Sequence, residues 1–191
     1  MHFLFSLLFL LSVIPASTEI SMLGMHIHDA EKVLEELKLD IVSKGKNMVK
    51  FKTENGNHFS ITTEKGNIVY MENDWLQQPK SRGALITDFQ FGLTSLKDIR
   101  TRFGTNGYTY KSNAAFTTDT HLVMFNCFEL DSEKEEILVT ITKIALKEEV
   151  TESNVASKLR LDAIILADKS YLDKIWGKEK TYDAKRKKVT L

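Results

Sequence analysis

One cysteine in 191 residues means that no internal disulfide can form, so the fold must rest on its core. That cysteine, Cys127, is far from residues 15–18, which closes the lipid-anchored route taken by some bacterial exported proteins. The apolar run from Phe3 to Ile14 falls short of the ~20 residues a membrane-spanning helix needs. Neither sign of charge is in excess: 26 basic residues face 26 acidic ones, so no overall field recruits nucleic acid or an acidic membrane surface. Proline is scarce, with only two in the chain, and one of them, Pro79, lies in a polar stretch that reads as a linker.

A further absence is local. Residues 1–17 hold no Asp, Glu, Lys or Arg, and Pro15-Ala16-Ser17 is a small-residue segment behind the apolar run. This pattern predicts a secretory signal cleaved after Ala16 or Ser17, with His2 and the amino terminus in place of the usual Lys or Arg. The expected product is a soluble, monomeric, secreted or periplasmic protein with no stable membrane anchor once the signal is removed.

What is present is a well-punctuated helix. Leu93, Leu96, Ile99 and Phe103 recur at the spacing of one helix face. Ser95 and Asp98 have the spacing of a capping box, and Gly104 supplies the stop. An earlier helix is expected from Asp29 as cap to about Leu39, with Ala30, Val33, Leu34 and Leu37 buried. Three alternating strands follow. The first carries Val49, Phe51 and Thr53, the second Phe59, Ile61 and Thr63, and the third runs from Ile68 to Trp75. Asn55-Gly56 and Gly66-Asn67 supply the hairpin turns. After the second helix come a short strand at Tyr108–Tyr110, a loop at 113–120 and three longer strands at 121–130, 136–146 and 159–168. Ser170 and Asp173 predict a capping box for a short closing helix ended by Gly177. Residues 178–191 read as a frayed, basic, solvated tail.

The two helices begin two copies of one unit. Laying Asp29 on Ser95 puts Ala30 on Leu96, Val33 on Ile99 and Leu37 on Phe103, while Gly24 falls two residues short of Gly92. The expected class is α+β: two tandem units of a helix packed on an antiparallel meander, with a short C-terminal helix. The organisation is 1–17 signal, 18–85 first unit, 86–177 second unit and 178–191 tail. Gly92-Leu93-Thr94 leading into a helix, Gly24-Met25 in the first copy and the Lys65-Gly66-Asn67-Ile68 turn together resemble two exported families of helix-plus-sheet repeats. These are the beta-lactamase-inhibitor-protein-like and SmpA/OmlA-like families. The resemblance implies two sheets offering a partly concave face to a partner protein. No family residue carries over position by position.

The sharpest local chemistry is His26-Ile27-His28-Asp29, followed by Glu31. Two histidines one residue apart on an extended segment would point the same way and suit zinc or copper if a third ligand joined them. Asp29 serves equally as a helix cap. No phosphate cradle or nucleophile elbow occurs, so neither a cofactor nor enzymatic chemistry is expected. Cys127 shares a strand face with Val123 and Phe125 and reads as a small core hydrophobe. Asp162 and Asp168 read as a strand edge and a turn. The remaining feature is a polar row expected to face water: Lys50, Lys52, His58, Ser60 and Thr62, with Tyr70 and Glu72 as neighbours. The expected function is an exported, non-enzymatic module that binds a protein or envelope component through Lys50, Lys52, His58, Ser60 and Tyr70. Metal binding at His26 and His28 is the alternative. Among the aromatic residues that could anchor a partner, Tyr70, Trp75 and Trp176, the last is expected to close the core instead.

Overall fold

Alternating apolar side chains, broken by Gly turns, build ten strands among the described residues into a single antiparallel sheet. The computed structural model describes residues 22–36, 39–79, 83 and 89–191. The signal segment, Leu37 and much of the linker lie outside the described residues, as do the side chain of Val33 and the lead-in from Ile86. The elements are α1 (Ile27–Glu36), β1 (Asp40–Lys44), β2 (Met48–Lys52), β3 (His58–Glu64), β4 (Asn67–Asp74) and α2 (Leu96–Phe103). There follow β5 (Tyr108–Tyr110), β6 (Ala115–Thr117), β7 (His121–Glu129), β8 (Glu136–Ala145), α3 (Val155–Lys158), β9 (Arg160–Asp168), α4 (Lys169–Trp176) and β10 (Lys180–Tyr182). The sheet runs β1-β2-β3-β4-β9-β8-β7-β5-β10, with β6 also on β7, and every strand pair is antiparallel. The fold is α+β. Where the resemblance implies two sheets, β4 pairs with β9 and joins the strands into one. Among the described residues, no helix is long and apolar enough to cross a membrane.

Each sheet face has its own core. On one side α1 contributes Ala30 and Leu34 and α2 contributes Ile99 and Phe103, packed over Phe51, Phe59, Ile61, Leu138 and Ile164. On the other side α4 lays Leu172 and Trp176 over Tyr110, Phe125, Cys127, Val139 and Ile165. β8 and β9 are therefore covered on both faces over most of their length, which is why Leu138 and Thr140 are as buried as Ile137 and Val139. Cys127 is fully buried, and Trp176 meets the Tyr110 and Phe125 rings edge-on.

Helix α2 forms as its spacing predicts. The Ser95 hydroxyl accepts from the Asp98 N–H at 3.1 Å, and Asp98 accepts from the Ser95 N–H at 2.9 Å. Gly104 closes the helix in the left-handed region, at φ 62°. Leu93 does not join the buried face of this helix; it precedes the first turn and is exposed.

Four local expectations are corrected. Helix α1 starts at Ile27, because the His26 carbonyl takes the N–H groups of Asp29 and Ala30; Asp29 lies in the first turn and is not the cap. Helix α4 starts directly from β9 with Asp168 at its cap, so Ser170 and Asp173 form no box. An additional strand forms at β1, whose residues are all exposed and so lack the alternation that marks a half-buried strand. The loop at 113–120 contains the short strand β6.

Residues 178–191 are not a frayed tail. β10 adds to the free edge of β5, Lys180 is almost wholly buried against Asp173, and Val189 bridges to Leu130 in the core under α2. The Val189 N–H donates to Glu129 and its carbonyl accepts from Asp131, so backbone pairing and an apolar anchor hold the segment down despite its charge.

Candidate functional site

Register alone assembles the predicted row. Across β2, β3 and β4, Lys50 stands beside Ser60 and Ser60 beside Glu72, while Lys52 stands beside His58 and His58 beside Asp74. Thr62 pairs with Tyr70. Lys50, Lys52, His58, Ser60 and Tyr70 therefore share the face that α4 partly covers, opposite Phe51, Phe59 and Ile61. Two features differ from the expectation of a water-facing row. Ser60 is buried, and Tyr70 is half-buried with its ring 5.7 Å from that of Tyr171 on α4. Lys52 is exposed, whereas Lys50 and His58 are half-buried.

Ile68 and Tyr70 are two positions apart on β4, a spacing that ordinarily puts both on one face, yet they lie on opposite faces. Thr62 pairs with Tyr70 and Thr63 with Ile68, which leaves Val69 as an extra residue in β4. The bulge reverses the parity of the strand. Ile68 enters the core beneath α1, while Tyr70 turns toward α4.

The row continues into a ladder of charges. The Tyr70 hydroxyl donates to Glu72 at 3.0 Å, Lys50 lies 3.9 Å from Asp74, and Lys143 lies 2.6 Å from Asp162. Burial, with the charge of Asp74 beside it, pushes the Glu72 carboxyl up to about 7, and the Tyr70 hydrogen bond opposes part of that rise. Burial also carries the Tyr70 hydroxyl far above the usual phenol range, helped by the Glu72 charge. His58 is lowered by burial and by Lys50. Burial raises Asp162 even though Lys143 works against it. The ladder presents both cations and carboxylates in a partly dry setting, where each counts for more than in open water.

Asp74, Lys143 and the Lys143–Asp162 pair are the members that sequence reasoning missed. Period-two spacing of Tyr70, Glu72 and Asp74 along one strand could have signalled the first. Asp162 reaches the ladder through a second bulge: Ile141 pairs with Ala163 and Thr142 with Leu161, so Asp162 is the extra residue. Nothing in the alternation of β9 marks that.

His26 and His28 do not lie together on an extended segment. His26 sits in an isolated bridge to Asn67, and His28 is in the first turn of α1, so their side chains do not run parallel. The His26 Nδ1 accepts from the His28 backbone N–H at 3.3 Å. Among the described residues, no three His, Cys, Asp or Glu side chains gather as metal ligands. Compared with known protein families, curated proteins and solved structures, the chain matches nothing.

Proposed function

We propose that the chain is an exported, non-enzymatic binding module that holds a protein or envelope component against the polar half of its α4-side sheet face. One observation carries this reading. Helix α4 packs over β5, β7, β8 and β9, whereas β2, β3 and β4 bring Lys50, Lys52, His58 and Asp74 together at the surface beside it. Tyr70 bridges the two regions, with its ring on Tyr171 and its hydroxyl on Glu72. The lysines contribute steering and register, since exposed charge pairs are worth under ~1 kcal/mol each.

The tandem reading belongs to the same proposal. Helix α1 leads into β1–β4, α2 leads into β5, β7, β8 and β9, and the two series meet through their last strands, β4 and β9. That order, with both helices on one face, supports two copies of one unit and keeps the resemblance to exported inhibitor-like repeats in play.

The test uses the full chain and its Lys50→Glu/Lys52→Glu double variant as baits against extracellular or envelope fractions of the source organism. A component retained by the parent and lost by an equally stable double variant supports the reading. Capture that is identical for both, or no capture at all, defeats it. Export is tested by N-terminal sequencing of protein recovered outside the cytosol; an intact Met1 in the cytosol ends that part.

A further inference from the structure

Strand β9 changes partners along its length. From Ala163 to Ala167 it pairs with β4; at Leu161, and at Leu159 just before the strand, the carbonyls take the N–H groups of Gly92 and Leu96 instead. Between these two partners the Trp75 N–H reaches the carbonyl of the bulged Asp162, at 2.9 Å. β4 leaves the sheet here, and the replacing segment does not fill the gap. The result is a cleft of ≈ 530 Å³, within the range of small-molecule sites.

The lining combines one aromatic plane with cations. Trp75 lies so close to Gly92 that a Cβ on Gly92 would fall 2.2 Å from the ring, and Gly92 also sits at φ +70°, where side chains are strained. Glycine there lets the indole pack against bare backbone, and its Nε1–H donates to the Gln78 carbonyl at 3.4 Å, so the ring is held before any ligand arrives. Lys143, Lys158 and Arg160 bring three positive charges to the lining, against Glu148 as the one lining carboxylate. Lys143 is paired with Asp162 and Lys158 with Glu148, at 3.8 Å. Arg160 donates Nη1 to the neutral carbonyl of Ser157 and also feels the charge of Asp98, while its remaining N–H groups can turn to an anion.

We propose that this cleft binds a small organic anion bearing a planar ring, with the ring against Trp75 and the anionic group on Arg160 and Lys143. A guanidinium fork matches a carboxylate or phosphate, and an indole is the strongest side-chain platform for a flat ring. The site adjoins the charge ladder of the sheet face and shares Lys143 with it, but it uses neither Lys50 nor Lys52, whose reversal tests that reading, so the two can fail separately.

The experiment uses the full chain carrying Trp176→Phe, which leaves Trp75 as the only tryptophan. AMP and 1-naphthyl phosphate are titrated while tryptophan emission is followed, with inorganic phosphate and adenosine as the separated halves. Calorimetry on the unsubstituted chain checks the same affinities. At least one ring-bearing anion should bind saturably with Kd below about 1 mM, and each half at least about tenfold more weakly. Arg160→Gln should weaken the complex about tenfold without changing the melting temperature, because this side chain is exposed. Lys143→Gln provides a second charge deletion at the proposed anion contact should the first variant lose stability. The proposal is overturned if neither anion saturates, if inorganic phosphate binds as tightly as the ring-bearing anions, or if a stable charge-deleted variant binds unchanged.

Discussion

Tyr70 and Glu72 stand two positions apart on one strand and one face, and the phenol donates to the carboxylate across 3.0 Å. Without the Val69 bulge, Tyr70 and Glu72 would both follow Ile68 onto the face beneath α1, away from α4. One extra residue thus places a hydroxyl and an elevated carboxyl at the junction of the covered and uncovered parts of the sheet.

Glu72 makes stability depend on pH in an unusual direction. Its folded value, about 7, lies above its ordinary value of 4.5, so between these pH values the folded state binds more protons than the unfolded state. The contribution is fully present below pH ~4.5 and is lost as pH rises through about 7. Glu72→Gln should be more stable than the parent at pH 8, by on the order of 2 kcal/mol, with a flatter profile from pH 5 to 8. Urea denaturation at several pH values checks this; parallel profiles for the two proteins would contradict it.

Tyr70 separates core from contact. Tyr70→Ala removes a ring packed on Tyr171 and should cost about 2 kcal/mol, the value for a half-buried aromatic. Tyr70→Phe keeps the packing, costs about 1 kcal/mol for the lost hydrogen bond, and lets the Glu72 carboxyl rise further. Thermal unfolding orders the three proteins, and carboxyl titration by NMR follows Glu72. An alanine variant that melts with the parent would remove Tyr70 from the core.

Asp173 fastens the C-terminal segment. It accepts from the Tyr110 hydroxyl at 2.8 Å and from Lys169 at 3.1 Å, and it pairs with the buried Lys180 of β10. Burial pushes its carboxyl up, but the hydrogen bonds from Lys180, Tyr110 and Lys169 outweigh it and hold the group below its ordinary range. This stability is present above pH ~4 and lost as pH falls through the lowered value. Asp173→Asn should cost about 2 kcal/mol at pH 7 and expose β10 to proteolysis. Limited digestion followed by mass spectrometry reads that exposure, and equal protection of residues 178–191 in both proteins would count against it.

Cys127 should be silent. It is fully buried between β5 and β8, and burial pushes its thiol well above the ordinary range. Ellman's reagent should find no thiol in the folded chain and one after denaturation. Fast labelling of the native protein would mean that the β5 edge opens readily.

Local structure is legible in the residues wherever a short-range rule acts without competition. The α2 capping box, the Gly104 stop, the β2–β3–β4 hairpins and the burial of Cys127 all follow from spacing and turn chemistry over a few residues. The polar row was legible for the same reason, because period-two alternation puts Lys50, Lys52, His58 and Ser60 on one face. The remaining features depend on contacts between residues far apart in the chain. The β4–β9 pairing merges the strands into one sheet. The bulges at Val69 and Asp162 invert the alternation that the residues display. Val189 and Lys180 find partners at Leu130 and Asp173, so a mostly exposed basic segment is fastened to the body of the fold. Trp75 meets Gly92 only because β9 exchanges one neighbour for another, and no local pattern encodes the place where it does so.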